Sequence, residues 1–158
     1  MLYLLFELGN DRYALDVRQV VEVLPQVDSR SLPGAMPGMA GLFNYRGSAV
    51  PLLDLAQLSL GRPCPMRMST RIIVTTCGGD ESGGSHLIGL LAERVTETIR
   101  RNESDFKDVA VGGYGSKFSG PVLTEGNTMI QWVNIKDLLP KDLQTKTQLF
   151  AEVAGHDL

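Results

Sequence analysis

The sequence predicts an all-β fold of small closed barrels packed against one another, and three observations carry that expectation. Seventeen Gly and eight Pro punctuate the 158 residues, and both residue types interrupt regular structure where they fall. The apolar runs between them are short, about five to eight residues, which is the length of strands rather than helices. Several of these runs, such as Ile72-Ile73-Val74 and Leu87-Ile88-Gly89-Leu90-Leu91, are apolar on both faces. A sheet with one wet side does not need that pattern, whereas a sheet covered on both sides does.

Taken in order, residues 2–8 and 12–16 form the first two strands, joined by a turn at Gly9-Asn10-Asp11. A third strand spans residues 20–27. Residues 39–45 and 49–53 flank Arg46-Gly47, a connection short enough for a hairpin. Asp54 can cap one helical turn through Leu58. Residues 71–77 and 86–92 flank the glycine-rich stretch 78–84, which lacks the lysine and the following helix of a phosphate-binding loop and reads as a hairpin tip. Residues 95–100 form an eighth strand, and residues 102–119 read as a loose segment. Strands at 120–124 and 128–133 bring the total to ten. A turn opened by Asn134 and ended by Pro140 follows them. From Asp142 onward, Leu143, Thr147, Phe150 and Val153 fall at helical spacing, predicting an amphipathic C-terminal helix docked on the barrels.

Composition excludes several function classes. Fifteen Lys+Arg against eighteen Asp+Glu give a net charge of -3, so the chain lacks the basic field that binding a phosphate backbone requires. Arg62, Arg67 and Arg71 are interrupted by prolines, have no interleaved aromatics, and read as a solvated loop. Cys64 and Cys77 form no C-x-x-C pair and have only His86 and His156 as possible co-ligands, too few for a structural zinc site. Both are expected to be reduced packing residues. The apolar start Met1–Phe6 lacks a basic flank and meets Glu7 at once, so neither a secretory leader nor a membrane span is expected. The expected compartment is the cytoplasm. No G-x-S-x-G, H-E-x-x-H or dinucleotide fingerprint occurs, the stretch from Gly113 to Gly120 missing the last in both spacing and context. The chain reads as a non-enzyme without a cofactor.

Three stretches stand above this background. The first is Phe6-Glu7-Leu8-Gly9 with Tyr13-Ala14-Leu15-Asp16-Val17 and Val20-Val21-Glu22-Val23-Leu24. The second is Leu32-Pro33 with Gly41-Leu42-Phe43-Asn44-Tyr45-Arg46-Gly47 and Val50-Pro51-Leu52-Leu53-Asp54-Leu55. The third is Arg71-Ile72-Ile73-Val74 with Gly89-Leu90-Leu91 and Val95-Thr96-Glu97. In this order and spacing the sequence resembles the CheW-like family of bacterial chemosensory coupling proteins over residues 2–140. The resemblance implies two intertwined five-stranded SH3-like β-barrels with short connecting helices and a C-terminal helix. One domain of two barrel subdomains would occupy residues 1–140, and a helix and tail 141–158. It also implies a stand-alone, non-catalytic adaptor at membrane-associated receptor arrays. Its partners would be a chemoreceptor's cytoplasmic helical hairpin, bound in a groove between the barrels, and the regulatory domain of a CheA-type histidine kinase, bound through barrel ends. Nucleic acid and direct membrane insertion are not part of that role. Tyr45 stands where the family commonly has Leu, and Phe43-Asn44-Tyr45-Arg46-Gly47 is similar to Wsp-type surface-sensing couplers, an accessory pathway whose output is cyclic-di-GMP.

The residues themselves allow a bland and a functional reading of the site. The Arg46-Gly47 turn throws a five-donor guanidinium outward, available either to an acidic partner or to a local acid. Taken alone, Val20 reads as core, Glu22 as a solvated charge, and Gly41 and Gly89 as bulge or close-packing positions. The resemblance makes Arg46, Gly47, Asn44, Val20, Glu22, Gly41 and Gly89 the receptor and kinase contact set, with Gly89 on the second barrel. A competing function is a small-molecule sensor with its ligand between the barrels, which the low aromatic content of 6% and the shortage of convergent polar groups disfavour.

Overall fold

The structure, a computed structural model, describes residues 1–27, 38–78, 85–109 and 120–138. Leu32-Pro33, the glycine-rich stretch 79–84, residues 110–119 and the expected C-terminal helix with Leu143, Thr147, Phe150 and Val153 lie outside the described residues.

Among the described residues nine strands are present: β1 Leu2–Leu8, β2 Asp11–Asp16, β3 Val20–Pro25, β4 Met39–Tyr45, β5 Ser48–Asp54, β6 Arg71–Gly78, β7 Ser85–Arg100, β8 Val122–Glu125 and β9 Thr128–Val133. Two short helices among these residues, α1 Leu55–Leu60 and α2 Ile135–Leu138, connect or follow them. The strands build two five-stranded sheets that share β7. One runs β3-β6-β7-β5-β4, the other β7-β1-β2-β9-β8, with β5–β7 and β2–β9 parallel and the remaining neighbours antiparallel. These are the two expected intertwined barrels.

The shared strand corrects the expectation of separate strands at 86–92 and 95–100. Glu93-Arg94 reads as a turn in sequence, yet the chain continues through it and changes sheets. β6 is paired up to Ala92, and pairing with β1 begins at Glu93. Between Glu93 and Glu97 lies a bulge, three residues of β7 against Phe6 of β1, with Arg94 at φ +46° and the Val95 N–H donating to the Ser69 carbonyl at 3.0 Å. Glu93 is buried there because it is used: its carboxylate accepts from the Gly9 N–H at 3.0 Å and from Arg62 at 3.3 Å.

The both-faced apolar runs find their reason in the core. Leu4, Phe6 and Leu8 of β1 join the larger cluster, with Phe43, Leu53, Ile72, Ile73, Ile88 and Leu90 of the first sheet. Tyr3 and Leu5 face the other way, into a second cluster with Ala14, Phe106, Leu123 and Ile130. The first barrel therefore uses the outer face of β1 as part of its core, and the middle of β1 is dry on both sides. Pro51 is tolerated in β5 because pairing with β7 covers only Leu52–Asp54, where no donor is missing.

Asp54 caps α1, accepting from the Gln57 N–H at 3.1 Å, and its other oxygen accepts from the Cys64 N–H at 3.0 Å, pinning the loop that leads to β6. The segment expected to be loose from Asn102 is, as far as Lys107, built into the second barrel. Glu103–Asp105 forms a 3-10 turn and Lys107 bridges Val122. Phe106 is buried 5.0 Å from the Tyr3 ring and 5.4 Å from Trp132. An aromatic side chain placed in such a cluster outweighs the polar composition around it. The strand expected at 120–124 begins instead after Pro121, which has no N–H to give a ladder.

Candidate functional site

Tyr45 and Ser48 are paired across the β4–β5 hairpin, which leaves Arg46-Gly47 as a two-residue loop. Both take positive φ, +51° and +88°, as a type I′ connection requires. Glycine adopts this freely, whereas an arginine there sits against a preference of about 1–2 kcal/mol. The turn is secured by Asn44, whose side-chain oxygen accepts from the Gly47 N–H at 2.8 Å. The result is a rigid tip carrying Asn44, Arg46 and Gly47, all exposed.

Glu22 meets this tip from β3. The register of β3 slips between Val20 and Glu22, a bulge that leaves Val21 exposed and aims Glu22 over the sheet edge. Glu22 Oε2 then accepts from the Tyr45 hydroxyl at 2.6 Å and from Arg46 Nη2 at 3.0 Å. The Arg46 guanidinium carbon also stands 5.3 Å from the centroid of the Tyr45 ring, a cation–π arrangement. Hydrogen bonding to the carboxylate, and then burial, push the Tyr45 phenol above its ordinary pKa. The local-acid reading of Arg46 therefore holds geometrically, yet the side chain remains 74% exposed, against 33% for Glu22. It is held in place and still presented to solvent.

Glu22, Asn44, Tyr45, Arg46 and Gly47 thus come together, whereas Val20, at the start of β3, pairs with Thr75 and packs half-buried against the core. Gly41 and Gly89 do not share that surface. Gly41, at φ +146°, forms the bulge in β4 and is buried. Gly89 is buried between β5 and β6, opposite Leu52 and Val74. A Cβ on it would lie 2.5 Å from Phe43 Cε1 and 3.0 Å from Ile72 Cγ2, so it makes room for the Phe43 ring. It belongs to the same barrel as Arg46, not to the second one. The half of β7 that carries it lies in the first sheet, and a one-strand reading is what places it there.

Tyr45 is the site residue that sequence reasoning missed, having registered only as a departure from Leu. The available signal is chemical: a tyrosine on the inward face of an apolar strand needs a partner for its hydroxyl, and Glu22 is within reach only once β3 and β4 are brought together.

The cleft at the β7 crossover, about 380 Å³, has a lining that includes Glu7, Arg12, Arg94 and Glu97. Arg12 pairs with Glu7 and Glu97, both at 3.7 Å, and Arg94 with Glu7 at 3.4 Å. These charges answer one another rather than converging on a ligand, which counts against the small-molecule sensor. Both thiols are buried, and burial pushes the Cys64 and Cys77 pKa values up, that of Cys64 helped by the Asp54 carboxylate. Among the described residues no cluster of His, Cys, Asp or Glu could hold a metal ion, and no helix is long and apolar enough to cross a membrane.

Residues 2–142 match the model of the CheW-like domain. The chain is 23% identical over 154 residues to the chemotaxis protein CheW of Treponema pallidum, covering 91% of this chain and 85% of that one. It is 29% identical over 127 residues to the chemotaxis protein CheW of Thermotoga maritima, covering 79% of each. Among solved structures, the scaffolding protein TtCheW from Thermoanaerobacter tengcongensis superposes with a TM-score of 0.73 at 22% identity, covering 88% of this chain and 87% of that one.

Proposed function

The chain belongs to the CheW-like domain family, and on that premise we propose that it is a coupling adaptor linking a chemoreceptor's cytoplasmic helical hairpin to a CheA-type histidine kinase. The match over residues 2–142 carries this reading, and the relatives named chemotaxis protein CheW support it. The role asks for binding surfaces, not for catalysis or a cofactor. Its setting is the cytoplasmic side of a receptor array.

The receptor contact we assign to it is centred on Arg46, with Asn44, Gly47 and Glu22 around it and Val20 at the start of β3. Gly41 and Gly89 act beneath that surface by shaping the sheet. A rigid tip with an exposed guanidinium supports the assignment, because a preorganised fork loses little freedom on meeting a carboxylate. Charges of this kind set orientation and encounter rate, while apolar area supplies most of the affinity. Phe43-Asn44-Tyr45-Arg46-Gly47 supports a finer assignment, to an accessory Wsp-type surface-sensing pathway.

The test is a calorimetric titration of the purified chain with a receptor cytoplasmic hairpin and, separately, with the regulatory domain of a CheA-type kinase from the same cell. Saturable heats with both support the adaptor. Silence with both reduces the kinship to a shared fold.

A further inference from the structure

β3 and β4 are the two ends of the first sheet, and among the described residues no ladder joins them. Side chains bridge that seam instead. One carboxylate oxygen, Glu22 Oε2, holds two donors: the Tyr45 hydroxyl at 2.6 Å and Arg46 Nη2 at 3.0 Å. The donors differ in freedom. Tyr45 is buried, its ring 6.4 Å from that of Phe43, whereas the Arg46 side chain is largely in solvent.

An arginine whose removal strips a half-buried carboxylate of its donor is costly to move, since the group left behind loses its compensation. Here the hydroxyl stays behind. It continues to satisfy Glu22 and to bridge β3 to β4, and the ring face offers the moving guanidinium a platform.

We propose that Tyr45 is a positioning residue that makes Arg46 transferable: the hydroxyl holds Glu22 and the β3–β4 seam while the guanidinium exchanges from Glu22 to an acidic group on the receptor. This rests on the reading of Arg46 as a receptor contact. A leucine at position 45 would leave Arg46 and Glu22 dependent on each other, so Tyr45 adapts this chain to draw binding energy from Arg46 at lower internal cost.

Calorimetric titration with a receptor cytoplasmic hairpin tests this on four full-length chains: the native one, Tyr45→Phe, Arg46→Ala and the double variant. With Arg46 present, Tyr45→Phe is expected to weaken binding about three- to tenfold, the worth of one hydrogen bond. In the Arg46→Ala background the same change is expected to matter by about twofold or less, because the two residues act as one unit. Tyr45→Leu is the second variant, expected to move affinity in the same direction, and thermal melts of each chain separate binding from folding. Equal weakening by Tyr45→Phe in both backgrounds would assign the hydroxyl a purely structural role and overturn the proposal, as would no weakening in the native background. Native affinity in Arg46→Ala would instead remove the receptor-contact reading, and the proposal with it.

Discussion

The Tyr45 hydroxyl lies 2.6 Å from the Glu22 carboxylate across 23 positions of sequence, joining the two strands that end the same sheet without pairing. Where the ladder stops, a charge-assisted hydrogen bond closes the barrel, and the Arg46-Gly47 turn is carried on that closure. The Arg46-Gly47 tip and the seam between β3 and β4 are thus tied through one carboxylate.

If Arg46 is the receptor contact proposed above, its change should separate binding from folding. Arg46→Glu places a like charge beside Glu22 at an exposed turn, so the fold is expected to survive while receptor binding falls by tenfold or more, about 1.4 kcal/mol or greater. Circular dichroism and calorimetry on the same preparation check both halves. Unchanged binding with unchanged dichroism removes Arg46 from the contact set.

Gly89 is expected to behave in the opposite way. A methyl group there meets the Phe43 ring at 2.5 Å, and overpacking of this kind costs about 1–3 kcal/mol. Gly89→Ala should lower the Tm, and any loss of receptor binding should follow that loss of stability. Full stability with lost binding would make Gly89 a direct contact instead.

Asp16 gives the fold a pH-dependent element. It is buried, accepts from the Arg18 N–H at 2.9 Å and from the Arg18 side chain at 2.7 Å, and the Arg18 hydrogen bond is the main cause that holds its carboxyl below the ordinary 3.8. A carboxylate whose folded pKa is depressed contributes stability above its unfolded value and loses it as pH falls through the folded one. Asp16→Asn should therefore be less stable than the native chain at pH 7, by about 0.5 kcal/mol, because asparagine keeps the cap acceptor but loses the charge that the exposed Arg18 answers. The difference should shrink as the pH falls below the carboxylate range, which urea unfolding at a series of pH values measures.

Cys64 and Cys77 should be slow thiols. Both are buried with raised pKa values, and only the thiolate reacts. Labelling by a thiol reagent at pH 7 should be slow in the folded chain and rapid in urea. Fast labelling of the folded chain would place a cysteine at the surface.

Most of the fold is legible in the sequence because its signals are local. Leu2–Leu8, Met39–Tyr45 and Thr128–Val133 have the bounds expected from apolar runs between punctuating residues, and Arg46-Gly47 marks its hairpin by dipeptide alone. What escapes is long-range. Glu93-Arg94 looks like a break until Gly9 and Arg62, from distant segments, are seen to need the Glu93 carboxylate. Phe106 belongs to a polar stretch until Tyr3 and Trp132 are seen to receive it. The site divides in the same way. The tip is visible in sequence, whereas its bonds to Glu22 and the packing role of Gly89 depend on strands that meet only in the folded barrel.

The most direct test of the adaptor reading is kinase turnover in reconstituted arrays of receptor, CheA-type kinase and this chain. The native chain is expected to bring the kinase under receptor control, and Arg46→Glu, folded as judged by circular dichroism, is expected not to. Receptor control that persists undiminished with Arg46→Glu, or that arises equally without the chain, would contradict the adaptor reading.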